Sequence, residues 1–519
     1  MEPATSRAQF VIGDFGSQYT LLAESSNRKN GFRSAVFDPL RAVKWITNNP
    51  PKGIIFSGGP KSVNDADAIR IPTPLLKANV PKLAVCYGMQ EIARTYGGSV
   101  KSVETQRGYS REAIEVDTSC ALFRNMPRRQ VVWASHGDSV TRVPKGFRVI
   151  ARNTETGGIA GMVGKDASGN DVWCLQFHPE VHHTKYGKDM LRNYAALCGA
   201  VRDWKPGNIV GHMQQAGREE IRDRLVLMGG SGGVDSTTLA KIYVPVFGKR
   251  LHIILINGGQ LREGEVEEAK RNVKAAGARL RVVDARARFA RAFGNVIDAE
   301  EVRAVFRKLY AEIFVEEAYY MANGDLNRVV LLQGTLAPDR IESGATGGAL
   351  IKTHHNVDLD TGDLVQLHPF ADLFKYEVRA LARKLGLPRS VSERHPFPGP
   401  GEFIRIPGLP KTPENLAIVR WCDNEVTKIL KHYGWFDRIS QLVVTYEGVK
   451  LVGVKGDARV YKPFAVVRAV RTIDFMTAEG VIFSPRIVRE IETVLTRHSE
   501  VSRVRFDSTN KPPATTEGE

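Results

Sequence analysis

The stretch LMGGSGGVDSTTLAKI, Leu227–Ile242, decides how the C-terminal part of this chain folds. The apolar run RLVLMGG (224–230) reads as a strand, a glycine turn follows, and STTLAKI opens a helix. Glycines at such a corner let the backbone approach a phosphate closely, and the helix N-terminus adds aligned N–H groups and the positive end of a dipole. Gly232, Gly233 and Val234 would contribute backbone N–H groups, and Ser231, Ser236 and Thr237 hydroxyls. Asp235 is suited to contact Mg²⁺, which prefers carboxylate and phosphate oxygens. No G-x-x-x-x-G-K-[ST] spacing occurs, so transfer of a γ-phosphoryl group is disfavoured. Alone, a glycine-rich turn is equally compatible with an ordinary strand-to-helix connection.

Working outward, the apolar runs LHIILIN, LRVVDA and NRVVLLQG continue a strand–helix alternation, the pattern of an α/β unit. RHPFPGPGEF (394–403) is too rich in Pro and Gly for a helix interior. From about residue 406, the helical ENLAIVRWCDNEVTKILKHY and the strand-like SQLVVTY, FAVVRAV and SRVRFD predict a smaller α+β segment. Toward the N-terminus, RDWKPGN (202–208) reads as a linker. Before it, FVIGDF, AVFD, GIIFSGG and KLAVCYG predict another α/β domain over residues 8–202.

That first domain carries its own chemistry. KLAVCYGMQEIA (82–93) sets Cys86 between a strand and a helix, an exposed corner where the helix N-terminus favours a thiolate. WCLQFHPEV supplies His178 as a base and Glu180 to orient its imidazole. FSGGP (56–60) offers a glycine turn whose N–H groups suit a developing oxyanion. Taken singly, a buried cysteine and a surface histidine are inert; jointly they describe a cysteine hydrolase.

Composition bounds the rest. Of 519 residues, 42% are hydrophobic and 25% charged, so the chain is long enough for several domains of ordinary globular make-up. No apolar run is long enough to span a bilayer, and MEPATSRAQF lacks the pattern of a secretory signal. Five scattered cysteines without CxxC spacing argue against a disulfide framework or a structural zinc site, and for a reducing, cytoplasmic setting. The net charge of +16 suits either nucleic acid or phosphorylated small molecules. Its spread along the chain argues against nucleic acid as the primary partner.

The words DFGSQYT, SGGP, CYGMQ, SHGD and FHPEV resemble the class I glutamine amidotransferases over residues 8–202. The resemblance implies a triad of Cys86, His178 and Glu180, with Gly58 and Tyr87 as backbone oxyanion donors. S-G-G-V-D-S-T resembles the loop of the ATP-pyrophosphatases, which release pyrophosphate and adenylate their acceptor. Amidotransferase first and this loop second is the arrangement of the GMP synthetase family. LLQGTLAPDRIES, IKTHHN, LFKYEVR, RHPFPGPG, GVKGDAR, TIDFMT and KPPATTEGE extend the likeness to the end of the chain.

The resemblance implies three domains: an amidotransferase (8–202), a doubly wound ATP-pyrophosphatase domain (210–405) and a small α+β dimerisation and acceptor domain (406–519). It implies ATP, Mg²⁺, glutamine and XMP as ligands, and a homodimer. XMP would be held by Arg262, Gln441, Asp457, Lys511 and Glu517, and pyrophosphate by Lys352 and Lys375. His354 and His355 fit either a ligand contact or a turn.

Several positions depart from the family. R-E-Y-G reads R-G-Y-S (Arg107–Ser110), the V-D-N-G aspartate is Asn257, and a glutamate is replaced by His368. P-G-P-G-L continues with Glu402, and the tail loses an indole at Gly518. A carboxylate at 402 would add negative charge against a phosphate, and the missing Trp removes packing surface. Two alternatives stay open: a paralogue aminating another purine or nucleotide, and an RNA-modifying enzyme using the positive charge. The amidotransferase domain speaks against the second.

Overall fold

The computed structural model describes residues 8–204, 209–336, 339, 359–455, 458–472, 475, 477–511 and 513–518. These fall into two compact units, one within Met1–Gly207 and one within Asn208–Ser343 and Lys352–Glu519. Among the described residues, no helix is long and apolar enough to cross a membrane.

The first unit contains strands β1 (Phe10–Gly13), β2 (Ser34–Phe37), β3 (Gly53–Phe56), β4 (Lys82–Val85), β5 (Ser99–Ser102) and β6 (Arg111–Val116). β7 (Arg129–Trp133), β8 (Asp138–Arg142), β9 (Arg148–Asn153), β10 (Ile159–Lys165) and β11 (Asp171–Leu175) follow. A nine-stranded sheet runs β2-β1-β3-β4-β11-β10-β9-β6-β7. It is parallel from β2 to β11 and antiparallel beyond. β5 and β8 form a separate ribbon. The parallel strands are continuous apolar runs because both faces are covered. Alternate residues serve different cores: Phe10, Ile12, Leu83 and Val85 pack on one side, and Val11, Ile54, Phe56 and Ala84 on the other.

The second unit opens with a five-stranded, all-parallel sheet in the order β14-β13-β12-β15-β16. Its strands are β12 (Leu225–Gly229), β13 (Leu251–Asn257), β14 (Leu280–Asp284), β15 (Val329–Leu332) and β16 (Val365–Leu367). The same alternation separates Leu227, Ile254 and Leu331 from Val226, Ile253 and Leu332. From β12 the chain winds outward one way to β13 and β14, then crosses back to β15 and β16. The carboxyl end of β12 is therefore a topological switch point, where open α/β sheets bind ligands.

The α+β character expected after residue 406 is present. The helix Pro413–His432 precedes a long hairpin of β17 (Gln441–Lys455) and β18 (Ala458–Arg471). The short β19 (Glu479–Gly480) and β20 (Val504–Asp507) both pair with β18. This segment does not have a core of its own: Val419, Leu442, Val444 and Val467 share one with Leu227, Ile254, Phe289 and Phe306.

In the first unit one charge is fully enclosed. Lys82, in β4, is unexposed; its Nζ donates to Asp166 Oδ2 at 2.5 Å and to the Ala78 and Val80 carbonyls at 2.7 and 2.9 Å. Burial pushes the Lys82 ammonium below its ordinary range. Asp166→Ala leaves that ammonium without its anion, and we expect a loss of about 3–5 kcal/mol, read as a lower denaturant midpoint for the N-terminal unit.

Candidate active sites

Cys86 sits where β4 turns into the helix Tyr87–Thr95, with φ 52° and ψ −106°. A non-glycine residue at positive φ is strained, and here the strain presents the thiol at the strand–helix corner. The corner is pinned by Cys86 N–H donating to Leu175 O (2.7 Å) and Gly88 N–H to Ser57 O (3.1 Å). Tyr87, the first helical residue, holds its N–H outside the helical ladder. Gly58 lies against the imidazole: a Cβ there would come within 3.1 Å of His178 Cε1.

His178 and Glu180 follow β11. Glu180 Oε1 is 2.8 Å from His178 Nδ1, and both residues are buried. Burial works against an imidazolium, but the charges of Glu180 and Cys86 outweigh it and raise His178 to about 10. His178 Nε2 is buried and has no hydrogen-bond partner among the described residues, which leaves it available to a reacting group. Cys86 and His178 open onto a cavity of about 470 Å³ that is also lined by Tyr19, Gln90, Ser135 and His136.

The sequence reading did not single out these last four residues, although all lie in the words DFGSQYT, CYGMQ and SHGD. Tyr19 packs edge-on against His178 with ring centres 4.6 Å apart. Ser135 O takes a contact from Cys86 Sγ at 3.5 Å. His136 is held neutral by burial, its pKa lowered to about 4. The R-G-Y-S departure lies alongside. Gly108 forms a bridge with His136, and Glu112 Oε1 occupies the space a side chain at 108 would need, 2.1 Å from its Cβ position.

In the second unit, the loop after β12 leads into the helix Val234–Phe247 at the switch point. Gly232 has φ 68°, and a Cβ on it would lie 2.5 Å from Ala269 Cα, so only glycine fits. Ser231 Oγ accepts from Gly233 N–H and lies 3.3 Å from Ser236 Oγ. Val234 and Thr237 are buried. Asp235 Oδ2 accepts from Lys375 Nζ at 2.5 Å, while its Oδ1 is buried and unpartnered among the described residues. Arg394, from the Pro- and Gly-rich stretch, braces the loop through Ser231 O at 3.2 Å and pairs with Glu265 at 2.7 Å.

Gln441 and Glu517, distant in sequence, meet: Gln441 Nε2 donates to Glu517 Oε1 at 2.6 Å. Arg405, also buried, donates to Glu517 at 3.2 Å and to Asp423 at 3.2 Å. Phe397 is flanked by two guanidiniums, Arg262 at 4.4 Å and Arg405 at 4.8 Å from its ring centre. Lys511 Nζ donates to Phe475 O at 2.8 Å. Arg468 fastens the C-terminal tail through Thr509 O, Thr515 O and Thr516 O. Arg405, Asp423 and Arg468 carried no sequence signal beyond their type, and Phe397 stood unremarked within the word RHPFPGPG. Lys352, His354, His355 and Asp457 lie outside the described residues.

Three departures have local accounts. Asn257 Oδ1 accepts from Gly259 N–H at 3.0 Å, as an aspartate would. His368 Nδ1 is 2.9 Å from Thr335 Oγ1. Glu402 corrects the expectation of added negative charge. It is fully buried and burial pushes its carboxyl up to about 8, so at neutral pH it is an uncharged acid.

An elbow cysteine with a His–Glu pair in one unit, and a phosphate-type loop at the switch point of another, define a class I amidotransferase joined to an ATP-pyrophosphatase-type unit. Residues 11–197 match the family "Glutamine amidotransferase class-I", 212–399 "NAD synthase", and 428–518 "GMP synthase C terminal domain". The glutamine-hydrolysing GMP synthase of Aquifex aeolicus is 37% identical over 99% of this chain and 100% of its own length. That of Thermus thermophilus is 39% identical over 98% of this chain and all of its own. That of Lactobacillus acidophilus is 37% identical over 98% of both. The chain belongs to the glutamine-hydrolysing GMP synthase family.

Glu180→Gln keeps the shape of the His178 partner and removes its charge. We expect glutaminase turnover to fall by about 10²–10⁴-fold. His178 binds its proton more tightly folded than unfolded, so it stabilises the first unit fully below about pH 6.5. That contribution fades as pH rises toward about 10. Urea titrations across this range should show the parent losing stability with pH and Glu180→Gln losing less.

Proposed function

We propose that this chain aminates XMP to GMP, taking nitrogen from glutamine and activating the acceptor with ATP. One observation carries the reading: the hydrolytic triad, the phosphate loop and the acceptor cluster lie on one chain in the order of relatives 37–39% identical along nearly its whole length. We read the labour as divided among residues 8–202 for glutamine, 210–405 for ATP and 406–519 for the acceptor and chain pairing.

In the first unit, the Cys86 sulfur attacks the side-chain amide of glutamine. The N–H groups of Gly58 and Tyr87 take the oxyanion. His178, oriented by Glu180, hands a proton to the departing ammonia and then activates the water that clears the glutamyl thioester. In the second unit, Ser231–Thr237 cradle the phosphates of ATP. O2 of XMP attacks the α-phosphorus, pyrophosphate leaves against Lys375 and Lys352, and ammonia then displaces AMP from C2. Arg262, Gln441, Lys511, Glu517 and Asp457 hold XMP, the cations at its phosphate and the carboxylates and amide at ribose or ring N–H groups.

Mg²⁺ fits beside Asp235, whose Oδ1 is buried and unpartnered while Lys375 holds Oδ2. Bound there, the ion would offset charge on the pyrophosphate. The five cysteines are all free and buried, which suits a cytoplasmic enzyme. A homodimer is supported by the apolar side chains on the β17–β18 hairpin, where Val449, Val454 and Tyr461 are 62%, 74% and 53% exposed.

The deciding measurement is release of AMP and pyrophosphate with XMP and MgATP, using glutamine or ammonium, on the parent and Cys86→Ala. The parent should turn over with both nitrogen sources, and Cys86→Ala with ammonium alone. Glutaminase activity without any XMP-dependent turnover would mean a different acceptor. For the dimer, Val454→Asp should raise the dissociation constant by about tenfold or more, the effect of roughly 1.4 kcal/mol. An unchanged sedimentation profile would remove the hairpin from the interface.

A further inference from the structure

Glu402 is a buried acid of the second unit that stands among other charged groups without a hydrogen bond to any described residue. It lies in the short 3-10 helix Gly401–Arg405. Its backbone is fixed there: Glu402 N–H donates to Gln260 O at 2.9 Å, and Gly401, at φ 54°, has no room for a Cβ against that same carbonyl. The side chain is wholly buried, and neither carboxyl oxygen has a hydrogen-bond partner among the described residues. A buried polar group without a partner is costly, and a charged one far more so.

Charged groups face it from every side. Arg405 comes from its own helix, Arg262 from the loop after β13, and Arg420 and Asp423 from the helix Pro413–His432. Glu517 of the tail and Glu265 act on the same cluster through Asp423. Cys422 is also present, its thiol pushed up to about 12 by burial, so it is neutral. Glu265 pairs with Arg394 at 2.7 Å and with Arg262 itself at 3.6 Å, and Arg394 also pairs with Glu268 at 3.0 Å. Arg420 donates to the Leu261 and Gly259 carbonyls and so braces the loop that carries Arg262.

Two of the three inner carboxyls are held by hydrogen bonds: Asp423 accepts from Arg405, and Glu517 from Arg405 and Gln441. Glu402 accepts none, so it keeps the proton. With Glu402 neutral, the guanidiniums of Arg262, Arg405 and Arg420 face one negative charge fewer than with Glu402 ionised. Once Glu402 ionises, it draws on the same guanidiniums.

We propose that Glu402 is a positioning and specificity residue of the acceptor site: as an uncharged acid it leaves the Arg262 guanidinium to an anionic phosphate group on the acceptor, and as a carboxylate it competes for that charge. This rests on the reading of Arg262 as an acceptor-binding residue. An incoming phosphate dianion in turn favours the protonated form, so acceptor binding takes up protons near pH 8.

The test follows KM for XMP and kcat from pH 7 to 9 with ammonium as nitrogen source, in the parent, Glu402→Leu and Glu402→Gln. Ratios to the parent at each pH cancel the titration of ammonium and substrate. Relative to either variant at the same pH, the parent's KM should rise about tenfold over this range, with kcat profiles parallel in all three. Glu402→Gln keeps the side-chain shape if Glu402→Leu folds poorly. Calorimetry of XMP binding at pH 8 in buffers of different ionisation enthalpy needs no variant and should show net proton uptake. Identical KM profiles in the parent and the folded variants, or no proton uptake by the parent, would overturn the proposal. A parent that does not turn over XMP at any pH would overturn the functional reading itself, and this inference with it.

Discussion

Both chemistries of this chain depend on one backbone constraint: a buried parallel strand must end and turn at once into a helix. At such a corner the strand's last residues are fixed by hydrogen bonds to both neighbours, and the helix begins with N–H groups that no helical carbonyl can reach. β4 ends this way at Cys86 and β12 at Ser231–Gly233. One corner carries a thiol and the other glycines, so one is built to suit a nucleophile and the other an anion cradle. The strands must stay rigid for this to work. Their apolar residues therefore alternate between two cores on opposite faces of each sheet.

Around those corners lie buried charges whose partners decide what they do. Glu180 keeps His178 protonated against its burial, giving an acid beside the thiol that is ready to protonate the leaving ammonia. Lys82 and Asp166 are equally enclosed, but each satisfies the other and the arrangement only holds loops in place. Arg405 shows a third case. A guanidinium with about 1% exposure is tolerable because Glu517 and Asp423 both accept from it, and that pairing ties the C-terminal tail to the helix Pro413–His432. The tail thereby joins the core of the second unit without contributing a large apolar surface.

Local chemistry was legible in the sequence wherever a short motif is also a structural corner. Cys86, the Ser231–Thr237 loop and the His178–Glu180 pair all lie within words of a few residues, and the strands before them are unbroken apolar runs. What lay beyond reach was contact between residues far apart along the chain. Nothing local marks Arg405 as the partner of Glu517, or Phe397 as the ring between Arg262 and Arg405. The shared core explains a second gap. A Pro- and Gly-rich stretch at 394–403 reads as a boundary, yet Phe403 and Ile404 pack with Phe289 and Leu442, because a break in regular structure is not a break in burial.

The departures from the family then separate by physical consequence. Asn257 replaces a carboxylate but keeps the oxygen that accepts the Gly259 N–H, so the loop leading to Arg262 retains its turn. Gly518 loses an indole, yet the neighbouring Glu517 still bonds Gln441 and Arg405, so that buried polar cluster is intact. Gly108 loses a carboxylate side chain, and Glu112 brings a carboxyl into the vacated space, with Asn153 donating to it at 2.8 Å. At 257 and 108 a hydrogen-bonding oxygen or its place survives the substitution, and at 518 the bonds of the adjoining residue do. Glu402 differs in kind. It puts an ionisable group where the family has an apolar one, and no neighbouring donor meets it. A buried acid without partners is retained at a cost in stability, so among these departures it is the one whose presence asks for a function rather than for a compensation.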